Sequence, residues 1–413
     1  MDLLSAAHDA VHPTAITSLF LIALIAVIGP IASRLLRGYI PDVVILLLLG
    51  AIIGPNALHW AGTDGGVDLL SELGLGMLFL LAGYELDPKL LRGKPGHTAW
   101  LVWAGCLVFA FLLVSVAVLA ESGADAGFTA KVAVAIAMTS TALGTLLPIV
   151  KQAGFLDQPL GRAVLAHGAV GELGPIVAMS VLLTSRSPLA AVVVLLLFAV
   201  ATAWIGFVPQ RIVQNAPWLS RLLGGMNGGT SQLPVRGVFL LLLVLMAVAE
   251  TFDLDVVLGA FAAGVVLRGM IAGAHPEVET ALETIGFGIL IPVFFVVSGM
   301  GIDISAVLSS PVLWVLFVLS IAIARGVPVW LSERFVPHGE NLPTPKERAQ
   351  LALYAATGLP IIVAVTQVAT SSGLMDADLA SVLVAAGATT VLLFPLIARV
   401  IGRGNLEAVE PRV

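Results

Sequence analysis

Apolar residues run along this chain in blocks of about 20, the length a helix needs to cross a bilayer core, with polar residues gathered between the blocks. The pattern predicts roughly thirteen spans, near 14–36, 40–57, 68–86, 97–120, 128–152, 158–184, 188–209, 235–251, 254–270, 282–300, 310–333, 347–370 and 376–402. The longer connections, around 210–235 and 334–347, leave no room for a soluble domain. The fold class read from the pattern is an all-α polytopic membrane protein.

Composition agrees. The chain is 59% hydrophobic and 11% charged, against about 25% charged for a soluble domain. Its 42 glycines and 23 prolines are usual where neighbouring membrane helices satisfy freed backbone groups. The lone Cys106 excludes an intramolecular disulfide and reads as a small buried residue. The first residues carry two Asp and no Lys or Arg, unlike the basic start of a cleaved signal peptide.

Basic residues orient the spans. With the N-terminus placed outside, Arg34, Arg37, Lys89, Arg92, Lys94 and most later bases fall on one side. The other side receives Arg186 and Lys131. Such asymmetry predicts a bacterial-type inner (plasma) membrane protein with its C-terminus cytoplasmic.

Two halves of the chain resemble one another. Met77–Asp87 parallels Val293–Asp303, Asp42 with Gly50 parallels Asp255 with Gly264, and Gly144 parallels Gly358. Seven spans separate the copies, so the second inserts inverted, as in transporters that bind their substrate between inverted repeats. Both halves also place Thr, Gly and Pro in mid-span. Span 5 carries Thr139, Ser140, Thr141, Gly144 and Pro148, and span 12 carries Thr357, Gly358 and Pro360. Unwound backbone is tolerated in a bilayer only when buried in protein or lining a wet cavity. Two crossed broken helices would offer carbonyl and hydroxyl oxygens to Na⁺ or K⁺; the alternative is plain kinks with hydroxyls bonded back to the helix.

Two ionisable residues lie deep in apolar spans. Glu172, in span 6, costs roughly 2.5–3.5 kcal/mol to place mid-bilayer. Desolvation disfavours the charged form of an acid, so one carboxyl can hold a proton or a cation by turns, the minimum needed for antiport; the alternative is a structural acid. Arg325, in span 11, does not deprotonate and is either the charge partner of Glu172 or a structural cation. His167 lies about 140° round the helix from Glu172, which favours packing over direct participation and leaves it an accessory candidate. Glu250, Asp253 and Asp255 read as a solvated rim, and Arg162, Glu85, Asp87 and Asp303 as anchors at span ends.

These residues resemble the monovalent cation:proton antiporter-2 family, the Kef-type or sodium/proton exchanger-like membrane domain. The resemblance rests on Gly38–Asp42 through Gly54-Pro55, Glu72–Asp87, Thr139-Ser140-Thr141, Leu258–Gly264 and Phe294–Asp303. It implies a homodimer, with a dimerisation panel from residues 1–96 and 235–305. An ion-translocating core from 97–187 and 306–413, joined through a linker at 188–234, would move as an elevator. By position Glu172 resembles the family's essential carboxylate and Arg325 its basic residue, with Thr139, Ser140 and Thr141 beside the ion. Where the family carries a polar residue followed by Asp, this chain has Gly171-Glu172, so electroneutral, one-for-one exchange is the simpler expectation. The partners implied are Na⁺ or K⁺, H⁺ and membrane lipids. No catalytic, phosphate-binding or nucleic-acid motif and no cofactor signature appears, so neither an enzyme nor a cofactor is expected. The rival readings are a sodium-coupled symporter of an organic solute and a transport-inactive channel-like or sensor relative.

Overall fold

A computed structural model describes residues 14–36, 40–87, 90–91, 93–121, 127–152, 155–156, 158–183, 188–215, 232–271, 276–335 and 342–406. Every regular element in them is helical. In chain order these are α1 (Ala15–Leu35), α2 (Asp42–Ile53), α3 (Val67–Glu85), α4 (Gly93–Glu121), α5 (Phe128–Met138) and α6 (Leu143–Gln152). Next come α7 (Pro159–Leu182), α8 (Pro188–Asn215), α9 (Leu233–Thr251), α10 (Val256–Ile271), α11 (Pro276–Ile285) and α12 (Ile291–Met300). The last are α13 (Ile304–Ser309), α14 (Pro311–Ile321), α15 (Val327–Phe335), α16 (Pro345–Ala355), α17 (Leu359–Ser371) and α18 (Ala377–Leu406).

Among the described residues, nine helical stretches are long and apolar enough to cross a membrane. Four shorter apolar helices, Asp42–Ile53, Phe128–Met138, Leu189–Ile205 and Val256–Ile271, fill other windows of the sequence pattern. The outer helices are apolar on both faces: Leu101 is 75% exposed and Leu189 77%. A belt of such residues is stable only against lipid. The central helices are the reverse, with α7 and α17 enclosed along most of their length.

The helices fall into two packing groups. α1, α2 and α3 pack with α9, α10 and α12, while α4 to α7 pack with α14 to α18. α8 lies against both α7 and α10. Within the first group, α2 crosses α12 and α3 crosses α10 at points where backbone meets backbone. A side chain on Gly50 would run into the Val296 carbonyl, and one on Gly264 into that of Leu80. Gly299 and Gly83 meet the opposing carbonyls of Leu47 and Phe261 in the same manner. The repeat maps α2 onto α10 and α3 onto α12, so the two crossings are symmetry-related copies of one contact. Small residues in this role permit the close approach that membrane helices rely on.

Two features are not visible in the hydropathy pattern. α11 passes into α12 through a π-helical turn at Gly286–Leu290, and α14 into α15 through another at Ala322–Gly326. Each π turn precedes a proline at the second position of the next helix, Pro292 or Pro328. Proline lacks the N–H and crowds the carbonyl four residues back, and a widened turn relieves both faults. The second is the short helix α13, capped by Asp303. Its carboxylate accepts hydrogen bonds from the Ser305 hydroxyl (2.6 Å) and the Ser305 and Ala306 N–H groups. The Ser305 hydroxyl, with those N–H groups, holds the Asp303 carboxyl below its ordinary range.

Side chains tie the span ends together, among them Asp87, expected as an anchor, and Asp255, expected in a solvated rim. Arg268, ending α10, donates to the backbone oxygens of Tyr84 (2.7 Å) and Glu85 (3.2 Å) and reaches Asp87 at 3.8 Å. Asp255 accepts the Val257 N–H at 2.8 Å, which starts α10.

Candidate functional site

α5 and α6 are two halves of one span, separated by a non-helical stretch at Thr139–Ala142; α16 and α17 are likewise separated at Ala356–Gly358. The breaks lie against one another. Ala142 N–H donates to the Thr357 carbonyl (2.6 Å), Ser140 Oγ to the Gly358 carbonyl (2.9 Å), and Thr141 Oγ1 to the Ala355 carbonyl (2.5 Å). A Cβ on Gly358 would collide with the Ser140 hydroxyl, so only glycine lets the two breaks touch. Each break brings the N-terminal end of one half-helix and the C-terminal end of another to the crossing, concentrating partial charges of both signs. The break in the first half falls upstream of the residues expected to cause it. Gly144 and Pro148 lie within α6, and Pro360 is the second residue of α17, where its missing N–H is harmless.

α7 runs beside the crossing, and its sequence explains how. Pro175 has no N–H to give the carbonyl four residues back, so the Gly171 carbonyl is freed and accepts the Thr141 N–H at 2.8 Å. Gly168, Gly171 and Gly174 share one side of α7, and side chains there would meet Leu143, Thr141 with Arg325, and Trp103 respectively. This glycine stripe admits α6, the break and α4.

Glu172 is the next residue round the helix. It is 5% exposed, and among the described residues no hydrogen bond or ion pair reaches its carboxyl. A buried carboxyl needs a proton or a cation to be stable. Arg325 sits on the π turn between α14 and α15 and is 0% exposed. It does not pair with Glu172. Its guanidinium donates to the His167 carbonyl (2.8 Å), to Thr141 Oγ1 (3.3 Å) and to the Cys106 sulfur (3.6 Å). The Arg325 guanidinium is thus braced on the crossing, while the charged group nearest in effect to the Glu172 carboxyl is Glu85, at the end of α3.

The three hydroxyls differ. Thr139 gives its proton to the Ile136 carbonyl (3.0 Å) and Ser140 to the Ala137 and Gly358 carbonyls, so their oxygens retain lone pairs for a cation. Thr141 both donates to Ala355 and accepts from Arg325, which makes it chiefly a brace. Thr357 Oγ1 bonds back to the Leu353 carbonyl at 3.1 Å. Ser140→Ala leaves the Gly358 carbonyl without its donor, a loss of about 1–3 kcal/mol for a buried group. The expected result is a lower melting temperature of the purified protein in detergent.

His167 is buried and does point away from Glu172, as its spacing predicts; its Nε2 lies 3.3 Å from Glu333 Oε1, on α15. Sequence reasoning passed over Glu333 as the end of a span. Gly171 stood out there only as a lost polar residue, whereas its lack of a side chain makes room for Arg325: a Cβ there would stand 2.6 Å from the guanidinium. Elsewhere, a cavity of about 320 Å³ opens between the two helix groups, lined in part by Asp68, Ser71, Thr366, Gln367, Thr370 and Ser381.

A sequence profile described as "Sodium/hydrogen exchanger, transmembrane" matches residues 20–403. The chain is 25% identical over 331 residues to Bacillus subtilis YjbQ, a protein named for Na(+)/H(+) antiport, and covers 76% of this chain but 53% of that one. It therefore spans about half the length of that relative. It is 26% identical to the Na(+)/H(+) antiporter of Enterococcus hirae, over 73% of this chain and 78% of the other. It is 25% identical to the glutathione-regulated potassium-efflux system protein KefC of Klebsiella pneumoniae, over 93% of this chain and 60% of that protein. The fold superposes on the sodium proton antiporter MjNhaP1 of Methanocaldococcus jannaschii at pH 8 with a TM-score of 0.64, 18% identity and 99% coverage of both chains. On the extent of the profile match, this chain belongs to the sodium/hydrogen exchanger family of transmembrane proteins.

Proposed function

We propose that the protein is a secondary transporter exchanging a monovalent cation, Na⁺ or K⁺, for H⁺ across a bacterial-type inner membrane. The relatives named for sodium and for potassium transport support this class and leave both cations open. The single observation that carries the reading is the unpartnered Glu172 carboxyl, buried beside the two crossed breaks. One carboxyl cannot hold a proton and a cation together, so each occupant displaces the other. Thr139 and Ser140 would complete the cation's oxygen shell, and Arg325 would hold the crossing in shape. With Glu172 as the carrier, one proton moves for one cation and the cycle is electroneutral.

In this proposal α4–α7 with α14–α18 form a core that slides as an elevator against a panel of α1–α3 with α9–α12, and the panel joins two copies in a homodimer. The N-terminus is placed outside and the C-terminus in the cytoplasm. The sparse contacts between the two groups, among them α10 on α7 and α18 on α2, suit such sliding. The cavity beside α17 would give one aqueous approach.

Everted vesicles with an imposed pH gradient test the class. Addition of Na⁺, K⁺ or Li⁺ should collapse the gradient for at least one of the three. A gradient that survives all three cations contradicts the proposal.

A further inference from the structure

On the lipid side of the second helix group, a groove of about 310 Å³ runs between α16 and the π turn that leads into α15. Small residues make it, with Ala322 and Gly326 on one wall and Ala349, Ala352 and Ala356 on the other. Trp330 lines it as well, and its indole nitrogen is the only polar side-chain atom among the lining residues. Ile323, Val327 and Leu331 along the same wall are each at least 40% exposed, so the groove opens to the acyl region of the bilayer. Ordered water needs polar partners, which this lining lacks. A hydrocarbon chain matches it.

Charge identifies the rest of the occupant. Arg334 follows Trp330 by four residues and Lys346 precedes Ala349 by three, so each stands one turn beyond the groove on the face that lines it. α15 and α16 pack together as successive spans, which sets the two bases at the same end. In the proposed orientation that end meets the cytoplasmic leaflet, where anionic headgroups concentrate. Both bases are exposed. Among the described residues no hydrogen bond or ion pair engages either, and Arg334 has only the Phe335 ring beside it at 5.9 Å. The other charged groups at this end are engaged. Arg348 donates to the Leu342 (2.9 Å) and Pro343 (3.1 Å) carbonyls, Glu347 accepts from Thr344, and Glu333 packs against His167.

We infer that the groove holds one acyl chain of an anionic phospholipid whose phosphate lies between Arg334 and Lys346. Both bases donate to phosphate oxygens, and their apolar stems let the charged heads reach the headgroup layer. A second copy of the chain does not fit here, because it would cover the helix group that the exchange reading requires to slide. The bound acyl chain lies against Gly326, the neighbour of Arg325, and Ala356, the first residue of the second break.

The test reads binding and is independent of transport. Purified full chain, delipidated in detergent, is incubated with dioleoyl phosphatidylglycerol or dioleoyl phosphatidylcholine, and retained lipid is counted by native mass spectrometry. Wild type should retain phosphatidylglycerol at least five-fold more than phosphatidylcholine and melt at a higher temperature with it. Arg334→Gln combined with Lys346→Gln should bring retention down to the phosphatidylcholine level. Ala349→Leu and Ala322→Leu fill the groove from opposite walls while keeping both bases, and each should lower retention at least three-fold. Arg34→Gln, which removes an exposed base from α1 at the same membrane surface, should retain lipid as wild type does. Equal retention of the two lipids by wild type, undiminished retention in the double variant or in both Leu variants, or an equal loss in Arg34→Gln overturns the inference. Displacement of the lipid by soluble sn-glycerol 3-phosphate, an anion of the same kind without acyl chains, overturns it too.

Discussion

Glu172→Gln is expected to abolish cation-driven collapse of a pH gradient, lowering the rate at least 100-fold in everted vesicles. The amide is nearly isosteric with the acid but neither releases a proton nor offers a full negative charge to a cation. The substitution should leave the fold intact. It removes an ionisable group from a site where no partner compensates it, and burying an unpaired charge is unfavourable. The purified variant should therefore melt no lower than wild type, which separates lost chemistry from lost structure. Glu172→Asp keeps the carboxyl with one methylene fewer and should retain measurable exchange. Wild-type exchange by Glu172→Gln removes this residue from the mechanism.

The second large effect is expected at Gly171. The family resemblance implies a polar residue at this place, so Gly171→Asp looks like a repair. The geometry predicts damage. A Cβ at 171 would strike the Thr141 hydroxyl and stand 2.6 Å from the Arg325 guanidinium. Both neighbours are fixed, Thr141 by its bonds to Gly171 and Ala355, and Arg325 by His167 and Cys106. Overpacking at such a site costs about 1–3 kcal/mol, and each 1.4 kcal/mol of barrier is about ten-fold in rate. Exchange should drop about 10- to 100-fold and the melting temperature should fall. Gly171→Asp with wild-type rate and stability would show that Arg325 is not where the structure places it.

Much of this site was legible in the sequence because lipid makes polar residues conspicuous. Glu172 stood out as an acid within an apolar span, and the paired Thr, Gly and Pro runs marked both broken helices. The glycine pairs Gly50 with Gly264 and Gly83 with Gly299 exposed the repeat before any contact was known. What escaped notice depends on contacts distant in sequence. The need for glycine at 171 comes from Thr141 and Arg325, which only the fold brings together. Glu333 drew no reading because it stands at the edge of a hydropathy window, whereas α15 packs its side chain against His167. The position of the first break was misjudged for a related reason. Proline in a helix disturbs the carbonyl four residues back, and Pro175 proved the decisive one, since it frees Gly171 to bond Thr141. The π turns have no composition of their own beyond the proline that follows each.

Counting protons at the moment of cation binding tests the central claim most directly. Purified protein in weakly buffered detergent solution, titrated with NaCl or KCl, should release close to one proton per chain for the cation it carries. Glu172→Gln should release none. Cation binding with no proton release, or the same release from the Gln variant, would contradict the account.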